Sequence, residues 1–517
     1  MKVLTAAQMR EVDRRTIEAG ISGLILMENA GHRVLEFLRE RFAPLSGHRI
    51  VVFCGKGNNG GDGLVIARLL HTLVKPRELH VLLAAAPDEL KGDAAANLRM
   101  LQVVGCPVES EIAPGMRRAT LVVDALLGTG LEGPARGRAL EWIREINTGF
   151  PDARVLAVDV PSGMGSDAPD SHGEMARADA TVTFTAPKIC HALAPACDRL
   201  GELRVAPIGS PAALYEEDAA VFLALSEPEF FRHLFRPRPK ESNKGSYGHV
   251  LAIAGARGKS GAAAMTGLAA LRTGAGLVTV ASAASAISAI AAHAAELMTE
   301  PLAETAAGSV SLEAFEDRTI ETAIARKNVI AAGPGLGTHP ETVQFVRRLV
   351  KQTPLPMVLD ADALNALAGC AIPTPAPRVL TPHPGEMARL VRASIADVQG
   401  DRVGVARAFA QQHGVWIVLK GNRSLIASPG GEVWVNPTGS PAMATGGSGD
   451  VLTGMIAGLL AQFPDDLRAV LLAAVWIHGR AGELAAAKLG EKCVIAGDLL
   501  QLLPESIREH ADVSHGV

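Results

Sequence analysis

One rhythm constrains this chain more than any other feature. Short runs of β-branched residues, bounded by Gly and Pro, alternate with Ala/Leu-rich stretches of helical period along nearly its whole length. A strand that returns through a helix to a neighbouring strand runs parallel to it, so the pattern specifies an α/β fold with its ligand loops at the carboxyl ends of the strands. In the first half the expected strands are Arg49–Phe53, Leu79–Leu83, Thr120–Asp124, Arg154–Val160, Thr181–Thr185 and Leu203–Ala206, with helical stretches such as Gly63–Leu73 and Ala139–Ile146 between them. In the second they are His249–Ala254, Leu277–Ala281, Asn328–Ala331, Met357–Leu359, Arg378–Leu380 and Val415–Leu419. The chain's 517 residues exceed what one hydrophobic core usually organises. Pro211–Lys244, ending in FRPRPKESNKG, reads as a linker or an arm laid on a domain surface. Two α/β domains are therefore expected, residues 1–224 and 225–517.

Charge and cysteine usage narrow the function classes. Fifty basic against 54 acidic residues leave a formal net charge of −4, which argues against a broad nucleic-acid footprint. Six cysteines without CxxC spacing read as reduced thiols, not as a zinc site or a disulfide framework. The start, MKVLTAAQMREVDRRTIEAG, turns polar too soon for a signal peptide. Apolar stretches such as Ala469–Ile477 fall short of the ~20 residues of a membrane span. A cytoplasmic protein with no membrane or nucleic-acid partner is expected. The Ala-rich stretch Leu471–Lys488 suits either a core or a subunit interface, and a homo-oligomer is expected.

In the first half, RIVVF runs into CGKGNNGGDGLVIARLL. Gly55, Gly57 and Gly60 satisfy GxGxxG formally, but the acidic residue expected at the end of the second strand is missing. Backbone N–H groups at the helix start still offer an anion site, and Asn58, Asn59 and Asp62 add side-chain oxygens around Gly60 and Gly61. LVVDALLGTGLEGP ends its strand in Asp124, followed by Gly128, Gly130 and Gly133; RVLAVDVPSG ends in Asp159 and Ser162. Asn59, Asp124 and Ser162 can converge as oxygen ligands of a hard cation, which such ligands do not identify as potassium, sodium or magnesium. That leaves Asp159 free for acid–base work.

In the second half, NPTGSPAMATGGSGDVLTGMIAGLLA is the strongest motif. Gly446, Gly447, Ser448 and Gly449 form a flexible run before a helix, able to surround a phosphoryl group, and Asp450 beside it can take a proton from a hydroxyl. GARGKSGA places Ala262 at a helix entry, and AAGPGLG ends a strand with Gly333, Gly335 and Gly337. TPHPGEM fixes His383 between prolines, ahead of Glu386, and WIVLKGNRS ends a strand with Lys420.

The motifs LMENAG, GNNGGDG, DALLGTG and AVDVPSG resemble the NAD(P)H-hydrate epimerase family over about residues 1–210. The motifs GARGKSGA, AAGPGLG, LDADALNAL, LTPHPGEMARL, LKGNRS and ATGGSGDVLTG resemble the NAD(P)H-hydrate dehydratase family over about residues 240–504. The resemblance implies a Rossmann-like three-layer sandwich followed by a ribokinase-like domain, fused as a bifunctional repair enzyme for NADHX and NADPHX, the hydrated forms of NADH and NADPH. It implies potassium on Asn59, Asp124 and Ser162. Substrate would lie against Asn58, Asn59, Gly60, Gly61 and Asp62, against Gly128, Thr129, Gly130, Leu131, Glu132, Gly133 and Pro134, and against Asp159, which handles the proton. In the second domain it implies substrate on Ala262, Gly335, His383 and the base Asp450. ADP or ATP, with magnesium, would lie on Lys420, Gly421, Asn422, Arg423, Ser424 and the run Gly446, Gly447, Ser448 and Gly449. Ser424 stands where many relatives carry Thr. Two other readings stay open: a kinase for a vitamin precursor or sugar in the second half, and a non-catalytic binding or scaffold module in the first.

Overall fold

The computed structural model describes residues 1–170 and 173–510, and the chain divides into two compact units, Met1–Leu223 and Ala224–Val517. The first unit carries six parallel strands: β1 (Arg49–Cys54), β2 (Glu78–Leu83), β3 (Leu121–Ala125), β4 (Arg154–Val158), β5 (Ala180–Phe184) and β6 (Glu202–Ala206). Their order is β2-β1-β3-β4-β5-β6. From β1 the chain goes outward to β2 and then crosses to β3 on the other side of β1. The loops after β1 and β3 therefore leave in opposite directions, and a crevice opens between them.

Helices Gly23–Phe42, Asn58–Leu69 and Gly92–Val103 bury apolar residues in the same core as Ile50, Val52, Leu121, Val123 and Val182. Helix Gly137–Thr148 covers the other face, where Phe53 meets Trp142 and Phe150 edge-on at 5.5 and 5.7 Å. The helix expected at Gly63–Leu73 begins five residues earlier, at Asn58. Its first turn is Asn/Gly-rich and carries no apolar period, which is why patterning alone starts it late.

The second unit's sheet has ten strands: β7 (Leu223–Leu225), where the chain passes from one unit to the next, β8 (His249–Ile253), β9 (Leu277–Ala283), β10 (Met298–Leu302), β11 (Val329–Ala332), β12 (Met357–Leu359), β13 (Arg378–Leu380), β14 (Trp416–Leu419), β15 (Leu425–Ala427) and β16 (Val433–Val435). Their order is β10-β9-β8-β11-β12-β13-β14-β15-β16-β7. Neighbours from β10 to β14 are parallel, and β14-β15-β16 are antiparallel. Strands β7, β10, β15 and β16 are additional to those expected from patterning. The stretch expected as a linker or surface arm instead supplies β7 and buries Phe231 and Leu234 in the second unit's core, with Phe230 and Phe235 packed against it.

Helix Ser448–Gln462 packs on helix Ser260–Arg272 so closely that a Cβ on Gly454 would lie 2.0 Å from Thr266 O. The apolar run Ala469–Ile477 lies within Leu467–Leu489, a helix of 23 residues that is long and apolar enough to cross a membrane. Here it is a core helix, with 72% of its most apolar window buried inside the protein.

Candidate active sites

In the first unit, the ends of β1, β3, β4 and β5 and the start of helix Asn58–Leu69 border a cleft of about 540 Å³ lined by Asn58, Asn59, Asp62, Gly128–Glu132, Asp159 and Lys188, among others. The turn that shapes it depends on Gly60: a Cβ there would lie 1.8 Å from Gly55 O. Gly61 is likewise packed under the cleft against Met27, and Gly133 and Pro134 lie outside its lining.

Beside the cleft, Asp124 and Ser162 are fully buried. Asp124 accepts from Ser162 Oγ at 2.5 Å and from Ser162 N at 2.8 Å. Ser162 Oγ in turn accepts from Leu127 N at 2.9 Å, and Asn59 Nδ2 donates to Leu127 O at 3.0 Å. The three residues singled out as cation ligands thus share one knot of hydrogen bonds. Asn59 Oδ1 is buried there without a hydrogen-bond partner among the described residues. An orphaned buried oxygen is costly, and a hard cation satisfies it. Burial holds the Asp124 carboxyl above its ordinary range despite the Ser162 and Leu126 hydrogen bonds.

Asp159 adopts a left-handed backbone at φ 66°, uncommon outside Gly but tolerated by Asp. Its Oδ1 accepts from Lys188 Nζ at 2.7 Å and from Thr183 Oγ1 at 2.9 Å. Burial alone would raise this carboxyl, but the charge and hydrogen bond of Lys188, with help from Thr183, hold it below the usual range. Asp159 is thus an ionised carboxylate. Lys188, fixed also by Thr183 and Phe184 O, escaped the sequence reading, though a Lys just past β5 in TAPKIC follows the same strand-end rule as the acids.

The second unit gathers its polar groups at the carboxyl ends of β11 to β14. Asp360 follows β12 and is buried; its Oδ1 accepts from Lys420 Nζ, past β14, at 2.7 Å, and its Oδ2 accepts from Thr453 Oγ1 at 2.8 Å. A Cβ on Gly449 would lie 3.2 Å from Lys420 Nζ, which places the ammonium at the glycine run. Gly447 caps helix Ser448–Gln462 at φ 96°, so Asp450 sits inside the first turn of that helix. Burial, reinforced by Asp360, raises the Asp450 carboxyl to about 6 against the pull of Lys420. His478, kept neutral by burial with its pKa lowered to about 4, donates from Nε2 to Ser448 O at 2.9 Å and anchors the helix start.

His383 caps helix Pro384–Val391: its Nδ1 accepts from Gly385 N at 3.0 Å, while Glu386 Oε2 accepts from His383 N at 2.9 Å. With Nδ1 used as acceptor, the neutral ring carries its proton on Nε2, in a half-exposed side chain. Gly335 lies against Ala262: a Cβ on Gly335 would lie 3.1 Å from that of Ala262. Gly421–Ser424 form the turn between β14 and β15, where Ser424 Oγ donates to Gly421 O at 3.0 Å. Asp360 and Thr453 are the groups that the motif reading left without a role. Asp360 stands at a strand end in LDADALNAL, and that position was its signal.

Comparison with known proteins matches both units. The family described as YjeF-related protein N-terminus matches residues 23–190, and that described as NAD(P)H-hydrate dehydratase matches residues 250–505. The bifunctional NAD(P)H-hydrate repair enzyme Nnr of Moorella thermoacetica is 42% identical, over 98% of this chain and 97% of that one. Its counterpart from Thermofilum pendens is 37% identical, over 98% and 96%. Among solved structures, the ADP/ATP-dependent NAD(P)H-hydrate dehydratase of Bacillus subtilis, co-crystallised with ATP/Mg2+, is 32% identical; it aligns with 56% of this chain and 98% of its own, at a TM-score of 0.48. Likeness to the full-length relatives runs through both units, and the chain belongs to the bifunctional NAD(P)H-hydrate repair enzyme family.

Proposed function

We propose that the protein repairs hydrated nicotinamide cofactors in two steps, with residues 1–224 as epimerase and residues 225–517 as dehydratase. The first unit interconverts R- and S-NAD(P)HX, and the second dehydrates the S epimer to NAD(P)H with ADP as phosphoryl donor. The observation that carries this reading is full-length likeness to bifunctional repair enzymes, joined to an acid-lined cleft in one unit and a base beside a glycine-run helix start in the other.

In the first unit, Asp159 handles the proton at the hydroxyl-bearing carbon, and Asn58, Asn59, Asp62 and Gly128–Glu132 form the substrate contacts on the turn that Gly60 and Gly61 shape. Asn59, Asp124 and Ser162 hold potassium. The all-oxygen donor set and the orphaned Asn59 Oδ1 support that assignment, and the ion supplies fixed positive charge beside the substrate.

In the second unit, Asp450 takes the proton of the substrate hydroxyl as that oxygen attacks the terminal phosphoryl group of the nucleotide. AMP leaves when ADP is the donor. The new phosphate ester is a better leaving group than hydroxide; phosphate departs, the neighbouring ring carbon loses a proton, and the double bond returns. Amide groups of Gly446–Gly449 and the Lys420 ammonium stabilise charge in transfer. Lys420–Ser424 hold the nucleotide, which enters as its magnesium complex, and Ala262, Gly335 and His383 face the hydrated ring.

Purified protein is mixed with both NADHX epimers, and near-ultraviolet absorbance of the reduced ring is followed with ADP, with ATP and with neither, in potassium and in choline buffers. Complete recovery with ADP in potassium, reduced in choline to the S fraction plus slow spontaneous epimerisation, is the expected result. No recovery with either nucleotide refutes the dehydratase assignment and favours the kinase reading. Recovery limited to the S fraction in every buffer refutes the epimerase assignment.

A further inference from the structure

Moving a hydroxyl from one face of a ring to the other requires proton transfer on both faces. Asp159 is one carrier, but a single carboxylate at the end of β4 serves one side. The cleft is also lined by a buried carboxyl that no motif announced.

Val3 N donates to Leu223 O and Leu4 N to Pro187 O, each at 2.9 Å, and Leu4 pairs with Lys188 as an isolated parallel bridge. This registers the amino-terminal segment on the same stretch whose lysine grips Asp159. Ala6 N then donates to Asp167 Oδ1 at 2.6 Å, and helix Ala6–Glu18 begins with Thr5 as its cap. Met9, Asp13 and Ile17 recur every four residues on that helix, and all three line the cleft. Asp13 Oδ1 is buried with no hydrogen-bond partner among the described residues. A carboxyl oxygen left unsatisfied against a ligand cleft is costly unless something that enters the cleft meets it.

We infer that Asp13 is the second acid–base group of the first unit, working with Asp159 on the same hydrated ring. This rests on the epimerase reading and extends it.

The surroundings of the two carboxyls push them apart, as acid and base in one site require. Lys188 keeps Asp159 ionised. Burial raises Asp13 to about 6, against the pull of Lys188 and with a small push from Asp159. The other charged residues lining the cleft are Arg10 on the same helix, Lys56, Asp62, Asp93 and Glu132. Asp62 is pushed well above its range, chiefly by burial. Asp13, raised to about 6, is suited both to give and to take a proton.

For one epimer the steps balance as follows. The Asp13 carboxyl gives its proton to the ring hydroxyl as the carbon–oxygen bond breaks. The lone pair of the adjacent ring nitrogen forms a carbon–nitrogen double bond, and water leaves. Water then adds to the opposite face of the cationic ring and gives a proton to the Asp159 carboxylate, while the double-bond pair returns to nitrogen. The ring ends neutral with inverted configuration, and one proton has moved from Asp13 to Asp159. The other epimer runs the same path in reverse.

The test uses the full chain and separated NADHX epimers without nucleotide, following interconversion by chromatography. For Asp13→Asn, kcat above the spontaneous rate falls at least 100-fold with KM within threefold, and Asp13→Glu recovers at least tenfold over the amide. The wild-type decline in kcat/KM above about pH 6, set by loss of the Asp13 proton, is absent from the residual Asn activity. ADP-dependent dehydration of the pure S epimer stays within twofold, showing an intact chain. Asp13→Asn retaining more than a third of kcat, or keeping the wild-type pH profile, overturns the inference. So does a loss confined to KM. Wild-type protein that fails to interconvert the epimers refutes the epimerase reading itself, a result distinct from any of these.

Discussion

Lys420→Met tests the electrostatics of the second unit most directly. In the native protein the Lys420 ammonium lies 2.7 Å from Asp360 Oδ1 and 3.8 Å from Glu386 Oε2. Burial disfavours its charge, yet Asp360 and Glu386 together hold its pKa above the ordinary lysine value. Asp360 itself is only 1% exposed. Methionine keeps the length of the side chain and removes the charge, leaving Asp360 with the Thr453 hydroxyl as its remaining side-chain donor. Breaking a buried pair from one side costs about 3–5 kcal/mol. The Lys420 side chain is one-fifth exposed, so water softens the loss, and the lower end, about 3 kcal/mol, is expected.

At roughly 2–4 °C per kcal/mol for a large domain, the second unit's melting temperature falls by roughly 6–12 °C. Calorimetry measures this, with tryptophan fluorescence as a second probe, since Trp416, Trp434 and Trp476 all lie in that unit. Adding Asp360→Asn removes the stranded charge and restores at least half of the loss. A Lys420→Met deficit below 1 kcal/mol at pH 8, with no coupling to Asp360→Asn, would refute the reasoning.

Other perturbations probe the same assignments. Asp450 acts as base only when ionised, so dehydration of pure S epimer should lose tenfold in kcat per pH unit below about 6, and Asp450→Asn should lose at least ~100-fold at all pH values, both read from steady-state rates. Gly60→Ala puts a Cβ 1.8 Å from Gly55 O, and should abolish epimerisation while leaving S-epimer dehydration within twofold, as measured by chromatography and near-ultraviolet absorbance.

Much of the fold was legible because it is written locally. A β-branched run followed by glycines and an apolar helix needs no distant information, and β1, β3, β8 and β11 fall where their runs place them. β15 and β16 are three residues each, too short to show alternation, and they become strands only because β14 offers an edge to pair with. Phe231 and Leu234 lie in a stretch rich in charge and proline, and patterning cannot reveal that a core elsewhere has room for them.

The site divides in the same way. The sequence determined which loops carry oxygens and glycines: GNNGGDG, the Asp124 and Asp159 strand ends, and the run before Asp450. It did not determine their partners. Lys188 meets Asp159 across 29 residues, Lys420 meets Asp360 across 60, and Thr453 reaches Asp360 across 93. Such pairs leave no periodicity in the chain, because their contact depends on strand order and not on spacing. Burial does the rest: the same carboxyl group is ionised beside Lys188 and raised at Asp13 and Asp450, and only the packed structure decides which surroundings each receives.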